Sequence, residues 1–222
     1  MNTVHIPSGM QVLVFDDLSH QSPELTLRLD VGAHAVVILL HVGEASVITN
    51  INLVMEGDYS QAQLYAVYVT HGKGNAQLMV NQHHLGRSTK SSVVMRVLSA
   101  DNSHCMYKGM IRIDEHARGS NAHQEHKALL LSPQARAVAE PMLEVLTNDV
   151  QCGHGSAVGI LDQEQLFYMQ ARGLTLEHAR KLLLEYFCVQ AFDGISDPAI
   201  KKQMYAKISE HIHNLLSEKS KV

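Results

Sequence analysis

The sequence predicts an all-β core followed by an α-helical C-terminal segment, and three observations carry that prediction. Residues 36–158 form a series of short β-branched or aliphatic runs separated by polar turns, with no helical stripe between them. Alternate runs recur at a step of roughly 28 to 29 residues, within the range of stacked repeats. Beyond Gly159 the pattern changes to capped, amphipathic helices.

The runs fall at 36–40, 48–55, 64–69, 76–80, 93–98, 106–113, 128–131 and 142–146. Several alternate with period two. Ile51, Leu53 and Met55 set against Asn50, Asn52 and Val54 are the pattern of a half-buried strand. Val36, Leu64 and Val93 form one recurring series, and Ile48, Leu78 and Met106 form another. Two strands per coil of a solenoid generate such series, and both lengthen past Met106, as an insertion in the polar turn 115–125 would make them. Ordinary sandwiches also place turns at regular intervals, so periodicity alone leaves solenoid and sandwich open.

The first helix is expected just after Leu161, with Asp162 as cap, Gln165 reaching back to it, Leu161 and Leu166 as a hydrophobic staple, and Gly173 as the stop. The second begins at Thr175 with Leu176, Ala179, Leu183 and Phe187 on one face. The third follows Asp197 as cap and Pro198 as the first helical residue, with Ile200, Met204, Ile208, Ile212, Leu215 and Leu216 along its stripe. The expected organisation is a β core over residues 1–160 and a helical segment over 161–222.

Composition narrows the function. A chain of 222 residues with 45% hydrophobic content can bury a substantial core. A formal charge of −4 with scattered Lys and Arg gives no footprint for nucleic acid or an anionic membrane. The apolar run 35–40 is too short to span a bilayer, and residues 1–10 do not read as a secretory signal. Cys105, Cys152 and Cys188 are odd in number and far apart, which argues against a disulfide framework and for a reducing, cytoplasmic setting.

No Gly-x-x-x-x-Gly-Lys-Ser/Thr segment occurs, so an ATP-driven step must belong to another protein. The glycines of 153–159 fit neither a dinucleotide fingerprint nor a nucleophile elbow around Ser156. No catalytic residue is expected, and a carbohydrate-acting β-helix would need clustered carboxylates that the dispersed Asp and Glu do not supply. Cys152 and His154 are two positions apart, so on a strand both project from one face about 7 Å apart. A thiolate and an imidazole together form half of a metal or cluster site, whereas a buried Cys beside a hydrogen-bonded His is the commoner outcome of that spacing. The stretch with His116, His123, Glu125 and His126 reads as a solvated loop with irregular donor spacing, and the pairs His83/His84 and His211/His213 carry less weight. Cys188, among Tyr186, Phe187 and Phe192, reads as helix packing.

A longer signature runs through Tyr107-Lys108-Gly109-Met110-Ile111, Ala128 to Ser132, Glu140-Pro141-Met142-Leu143-Glu144-Val145, Asn148 to Gly159, Asp162 with Glu164 to Tyr168, and Ala171-Arg172-Gly173. Over residues 99–192 this ordered set resembles the C-terminal half of the SufB/SufD family of iron–sulfur cluster assembly scaffolds. The resemblance implies a right-handed parallel β-helix with C-terminal helices. It implies docking of a SufC-type ATPase through the helical segment, with Leu166, Phe167, Tyr168, Arg172, Leu183 and Phe187 as contacts.

By the same resemblance, a transient iron–sulfur cluster is expected at an interface with a SufB-like scaffold or a second copy of the chain, near the end of the β-helix. Cys152, His154 and His126 are the cluster-facing residues, and Cys152 and His154 are the metal ligands. The Cys-Gly-His-Gly block is more like SufD than SufB. His126 stands where SufB-type members carry a cysteine used for nascent cluster assembly, and an imidazole binds iron but cannot accept sulfur as a nucleophile. The chain is shorter than a usual member and shows no counterpart of its N-terminal helical region, and residues 1–35 match nothing in it. The alternative of a different class is a structural or regulatory β-helix adaptor that binds no metal.

Overall fold

The computed structural model describes residues 2–17 and 24–219. Residue 1 and residues 220–222, the outermost ends of the two expected segments, lie outside them. Among the described residues the chain forms twelve strands that alternate between two parallel sheets. Strands β1 (Asn2–Ile6), β3 (Glu24–Leu29), β5 (Val47–Met55), β7 (Asn75–His84), β9 (His104–Ile113) and β11 (Arg136–Val145) stack in that order as one sheet. Strands β2 (Gln11–Asp17), β4 (His34–Gly43), β6 (Gln61–Thr70), β8 (Lys90–Ser99), β10 (Asn121–Leu130) and β12 (Gln151–Ile160) stack as the other. Successive strands lie in different sheets and every neighbour pairs in parallel, so the chain winds as a β-helix with two strands per coil, and a sandwich is excluded.

The register explains the periodicity. Ile51 sits beside Val80, and Val80 beside Gly109, a step of about 29 residues that is one full coil. In successive coils one corner turns through a left-handed residue, and Gly32, Tyr59, Ser88 and Gly119 have φ of 65°, 61°, 53° and 74°. Each donates its N–H to a carbonyl of the next coil, which holds Tyr59 and Ser88 in a conformation costing about 1–2 kcal/mol for an L-residue.

The lumen holds the main core, including Leu27, Leu53, Leu64, Leu78, Val93 and Tyr107. The outer face of the even-numbered sheet carries a second core, where Ile38, Leu40, Val67 and Leu98 pack against the helices. Strand β4 is thus buried on both faces and reads as a continuous apolar run, while β5 has one solvated face and alternates.

Helix α1 (Gln163–Ala171) is capped by the Asp162 carboxylate, which accepts from the Glu164 and Gln165 amides, and Gly173 ends it at φ +92°. Helix α2 (Leu176–Val189) is capped by Thr175, and α3 (Pro198–Lys219) starts after Asp197, whose carboxylate accepts from the Ala199 amide. The α3 stripe of Met204, Ile208, Ile212 and Leu215 is buried on this chain's own sheet and α2. The α2 face differs from expectation: Ala179, Leu184, Glu185 and Cys188 are buried, Leu176 is exposed, and Leu183 and Phe187 are half-buried. The buried face includes a carboxylate. Glu185 accepts from Ser209 Oγ at 2.6 Å and Tyr205 Oη at 3.2 Å on α3, and lies 3.7 Å from Lys181.

Candidate functional site at the open end of the β-helix

Strands β11 and β12 are the last of their sheets, so their outer edges carry unpaired backbone donors and acceptors. The site follows from the register of β12 on β10. Cys152 lies beside Ala122, His154 beside Gln124, and Ser156 beside His126. Ala122, Gln124 and His126 are buried in the lumen, so Cys152, His154 and Ser156 share the inward side of the last strand. No further described coil covers them, and Cys152 and His154 are exposed. The thiol and the imidazole therefore share one face at the mouth of the lumen, at the i, i+2 spacing of a strand.

His126 sits one coil deeper. Its ring stacks on Tyr107 at 5.7 Å between centroids and 12° between planes, and its Nδ1 lies 3.4 Å from Ser156 Oγ. Burial, with a smaller contribution from the Arg96 charge, lowers its pKa to about 4, so it is a neutral imidazole at pH 7. Its Nε2 is buried and has no hydrogen-bond partner. The three expected residues thus lie on one side of two adjacent strands, but only Cys152 and His154 reach solvent.

The stretch 116–126 is not a solvated loop throughout. Only His116 lies in a turn, while His123, Glu125 and His126 are on β10, where alternation sends His123 and Glu125 outward and His126 inward. Burial pushes the Glu125 carboxyl up, but hydrogen bonds from Arg96 and Lys127 prevail and hold it below the usual range. Arg96 is itself buried, 2.6 Å from Glu125 Oε1 and 5.8 Å from the Phe187 ring centroid. Tyr107 and Gln124 were not singled out as site residues from sequence. Period-two alternation from His126 reaches Gln124 at once, but the polar run 121–127 hid the strand.

Cys105 and Cys188 are buried, and burial pushes the Cys105 thiol up to about 12 and raises Cys188 as well, so both stay protonated. Cys188 packs in the helix–sheet core, as expected. His84 is enclosed in the lumen between Thr89 and Ser91, and His83 lies 3.4 Å from Asp114. Among the described residues a close group of possible metal ligands is His5, Asp30 and Glu56, at the opposite end of the β-helix. There His5 Nε2 lies 3.2 Å from Asp30 and Arg28 pairs with Glu56, so both carboxylates already have partners.

The expected helix contacts divide. Leu166 is buried on its own chain and is withdrawn as a surface contact. Phe167 and Tyr168 are 73% and 61% exposed, and Arg172 lies 5.2 Å from the Tyr168 ring centroid. Beside them a groove of about 490 Å³ opens between the ends of β10 and β12 and the helices, lined by Leu131, Ile160, Leu161 and Leu176. No helix among the described residues is long and apolar enough to cross a membrane.

Comparison with known proteins gives a consistent pattern. The family model described as SUF system FeS cluster assembly, SufBD core domain, matches residues 16–187, well upstream of residue 99 and into the stretch 1–35. The iron-sulfur cluster assembly protein SufD of Bacillus subtilis is 27% identical over 174 residues, covering 78% of this chain and 39% of the relative. SufD of Escherichia coli is 27% identical over 117 residues, 53% of this chain and 28% of that protein. The protein ABCI7, chloroplastic, of Arabidopsis thaliana is 32% identical over 120 residues, 54% of this chain and 24% of that protein. The chain therefore spans less than two fifths of the length of these relatives.

Proposed function

The chain belongs to the SufBD core family of the SUF system, and from that premise we propose that it is a SufD-like scaffold component of iron–sulfur cluster assembly rather than a catalyst. One observation carries the proposal: Cys152 and His154 project from one face of the terminal strand into the uncapped mouth of the lumen. A thiolate and a neutral imidazole are suitable donors for iron. His126, the deeper imidazole of the same column, is the third candidate donor. The iron–sulfur unit is cargo here, held while it is built and then passed on.

The remaining ligands come from a SufB-like chain or a second copy of this one, seated on the open edges of β11 and β12. Leu143, Val145, Val158 and Ile160 are exposed around that mouth and supply the apolar part of such an interface. A SufC-type ATPase docks on the helical segment through Phe167, Tyr168 and Arg172 of its start, with half-buried Leu183 and Phe187 of α2 as further contacts. The setting proposed for this assembly is the cytoplasm.

The test is anaerobic reconstitution with ferrous iron and sulfide, alone and with a SufB-like chain, comparing wild type with Cys152→Ala and His154→Ala. Iron–sulfur absorbance in the wild type that falls in both variants is the expected result. No uptake by any form, with the partner present, would replace this reading with the metal-free adaptor.

A further inference from the structure

We infer that β12 pairs antiparallel with β12 of a second copy of this chain, about a two-fold axis at Gly153, so that Cys152 of each copy stands opposite the partner's His154. The inference rests on the reading of Cys152 and His154 as donors. It deepens that reading by naming the partner chain, the register and the number of ligands.

The backbone decides which residues can pair. Along a strand the N–H and C=O groups of successive residues point alternately to the two neighbouring strands. The Gln151 N–H donates to the carbonyl of Ser120, just before β10, so Gln151, Gly153 and Gly155 turn their backbone groups towards β10. Cys152, His154 and Ser156 turn theirs to the open edge. The edge of β11 is the poorer template. Arg136 and Leu146 donate towards β9, which leaves the odd-numbered residues of β11 facing outward, and one of these, Pro141, has no N–H.

Hydrogen-bonded antiparallel pairs join edge-facing residues, so an even-numbered residue of β12 must meet an even-numbered one. A two-fold axis at Gly153 meets that condition and sets Cys152 opposite the partner's His154 on both sides of the axis. Opposite residues share one face with their Cβ atoms about 5 Å apart, and Cys152 and His154 are about 7 Å apart along the strand. Two thiols and two imidazoles then bound one small area on the lumen side, a donor set that completes a four-coordinate site for a thiophilic divalent ion.

The glycines of β12 agree with this arrangement. Gly153 and Gly155 are not among the residues with positive φ, and an added Cβ would meet only His123 Nδ1, at 3.7 Å, beside Gly153 and nothing within 4 Å beside Gly155. The chain's own packing therefore does not call for glycine at either position, and glycine weakens a strand; close approach of another backbone is a use for it. At the axis Gly153 forms the non-hydrogen-bonded pair, where Cα atoms come within about 4.5 Å. The same register brings exposed Ile160 alongside the turn that holds the partner's Leu146, which is exposed as well.

The full chain is titrated anaerobically with Co²⁺, with sedimentation reporting mass and the thiolate-to-cobalt absorption reporting ligation. One Co²⁺ per two chains and a doubling of mass are expected, and Cys152→Ala and His154→Ala should each lose both. Register is read on the cobalt-loaded dimer, where Cys152 is held by the metal, with a bifunctional reagent that joins only adjoining thiols. Gly153→Cys should cross-link the two chains, and Gly155→Cys should not, because its two copies would stand about 14 Å apart. A single chain at every Co²⁺ concentration, one Co²⁺ per chain, or any other cross-linking pattern would overturn the inference. Pairing only with a SufB-like chain would overturn it and leave the scaffold reading standing. Cobalt-linked dimers that take up no iron and sulfide with any partner would overturn the scaffold reading and leave the interface.

Discussion

Gly109→Ala is the sharpest perturbation the lumen offers. Gly109 lies on the inward face of β9, between Val80 and Pro141 in register, and the new methyl group would occupy the space where Tyr107 and Gln124 meet. Both are side chains, but neither can swing out to solvent from a closed lumen. Their hydrogen bond must break, leaving a buried donor and acceptor at a cost of about 1–3 kcal/mol. Crowding of the packed interior adds about 1–3 kcal/mol, and the lower chain entropy of Ala over Gly returns about 0.5–1 kcal/mol. The net loss of roughly 1–5 kcal/mol, centred near 3, corresponds to a fall in Tm of roughly 6–12 °C at its centre for a chain of this size. Gly153→Ala is the matched control, since its Cβ would find only His123 Nδ1, at 3.7 Å, on an exposed strand. Thermal unfolding followed by circular dichroism at neutral pH should separate the two, with Gly153→Ala within about 2 °C of wild type. A Gly109→Ala protein melting with the wild type, or a Gly153→Ala protein falling as far, would refute the packing assignment.

Three further outcomes follow from other parts of the fold. Burial, helped by the charge of His83, lowers the pKa of His84 from 6.5 to about 4. The unfolded chain then binds the extra proton, so this stability is complete above pH 6.5 and is lost as pH falls towards 4, by on the order of 3 kcal/mol. Urea midpoints at either end of that window should converge in His84→Gln relative to wild type, and an unchanged pH slope would count against the assignment. Glu185→Leu removes the acceptor of Ser209 and Tyr205, but Tyr205 is 47% exposed and can turn to water, so the cost should be about 0.5–1.5 kcal/mol, read as faster hydrogen exchange in α3. Phe167→Ser with Tyr168→Ser should leave stability within about 0.5 kcal/mol, because both rings already face solvent, yet abolish co-purification with a SufC-type ATPase.

What was legible in the sequence was what neighbouring residues decide. The caps at Asp162, Thr175 and Asp197 act over two or three residues, and all three start helices as read. The coil repeat was legible as a step of about 29 residues but not in exact register. Leu64 does lie beside Val93, whereas Val36 lies beside Gln63, and Ile48 and Met106 both lie beside Gln77, one position from Leu78. The first part of β10 was not, although the run 128–131 does form its end, because the inward positions before it include Gln124 and His126, which a hydropathy pattern assigns to a turn. Their burial depends on Tyr107 and Ser156, partners a coil or half a coil away in sequence. The α2 face was misjudged by one position, and its buried side includes Glu185, which Ser209 and Tyr205 come to meet. The Cys152–His154 pair was visible as a spacing, but its exposure depends on which strand is last in the sheet.

If the chain holds an iron–sulfur unit as proposed, the donor count at the open end limits how it could be held. A cluster iron is held by sulfur or nitrogen donors, and a protein-bound cluster takes about four of them. The mouth of the lumen presents one thiol, Cys152, one exposed imidazole, His154, and one enclosed imidazole, His126. Cys105 and Cys188 cannot make up the number, because burial keeps both thiols protonated and inaccessible. A cluster seated here therefore needs donors from across an interface. The same edge already invites that interface, since β11 and β12 carry unpaired backbone groups beside exposed apolar side chains. Ligation and association then become one event: covering the mouth supplies the missing donors and excludes water, and uncovering it withdraws them. On that argument a motor acting on the helices need not touch the cluster. On the proposed reading it would have only to change how firmly the last strands are covered, and α2 and α3 are packed on β4, β6 and β8 of the sheet that ends in β12.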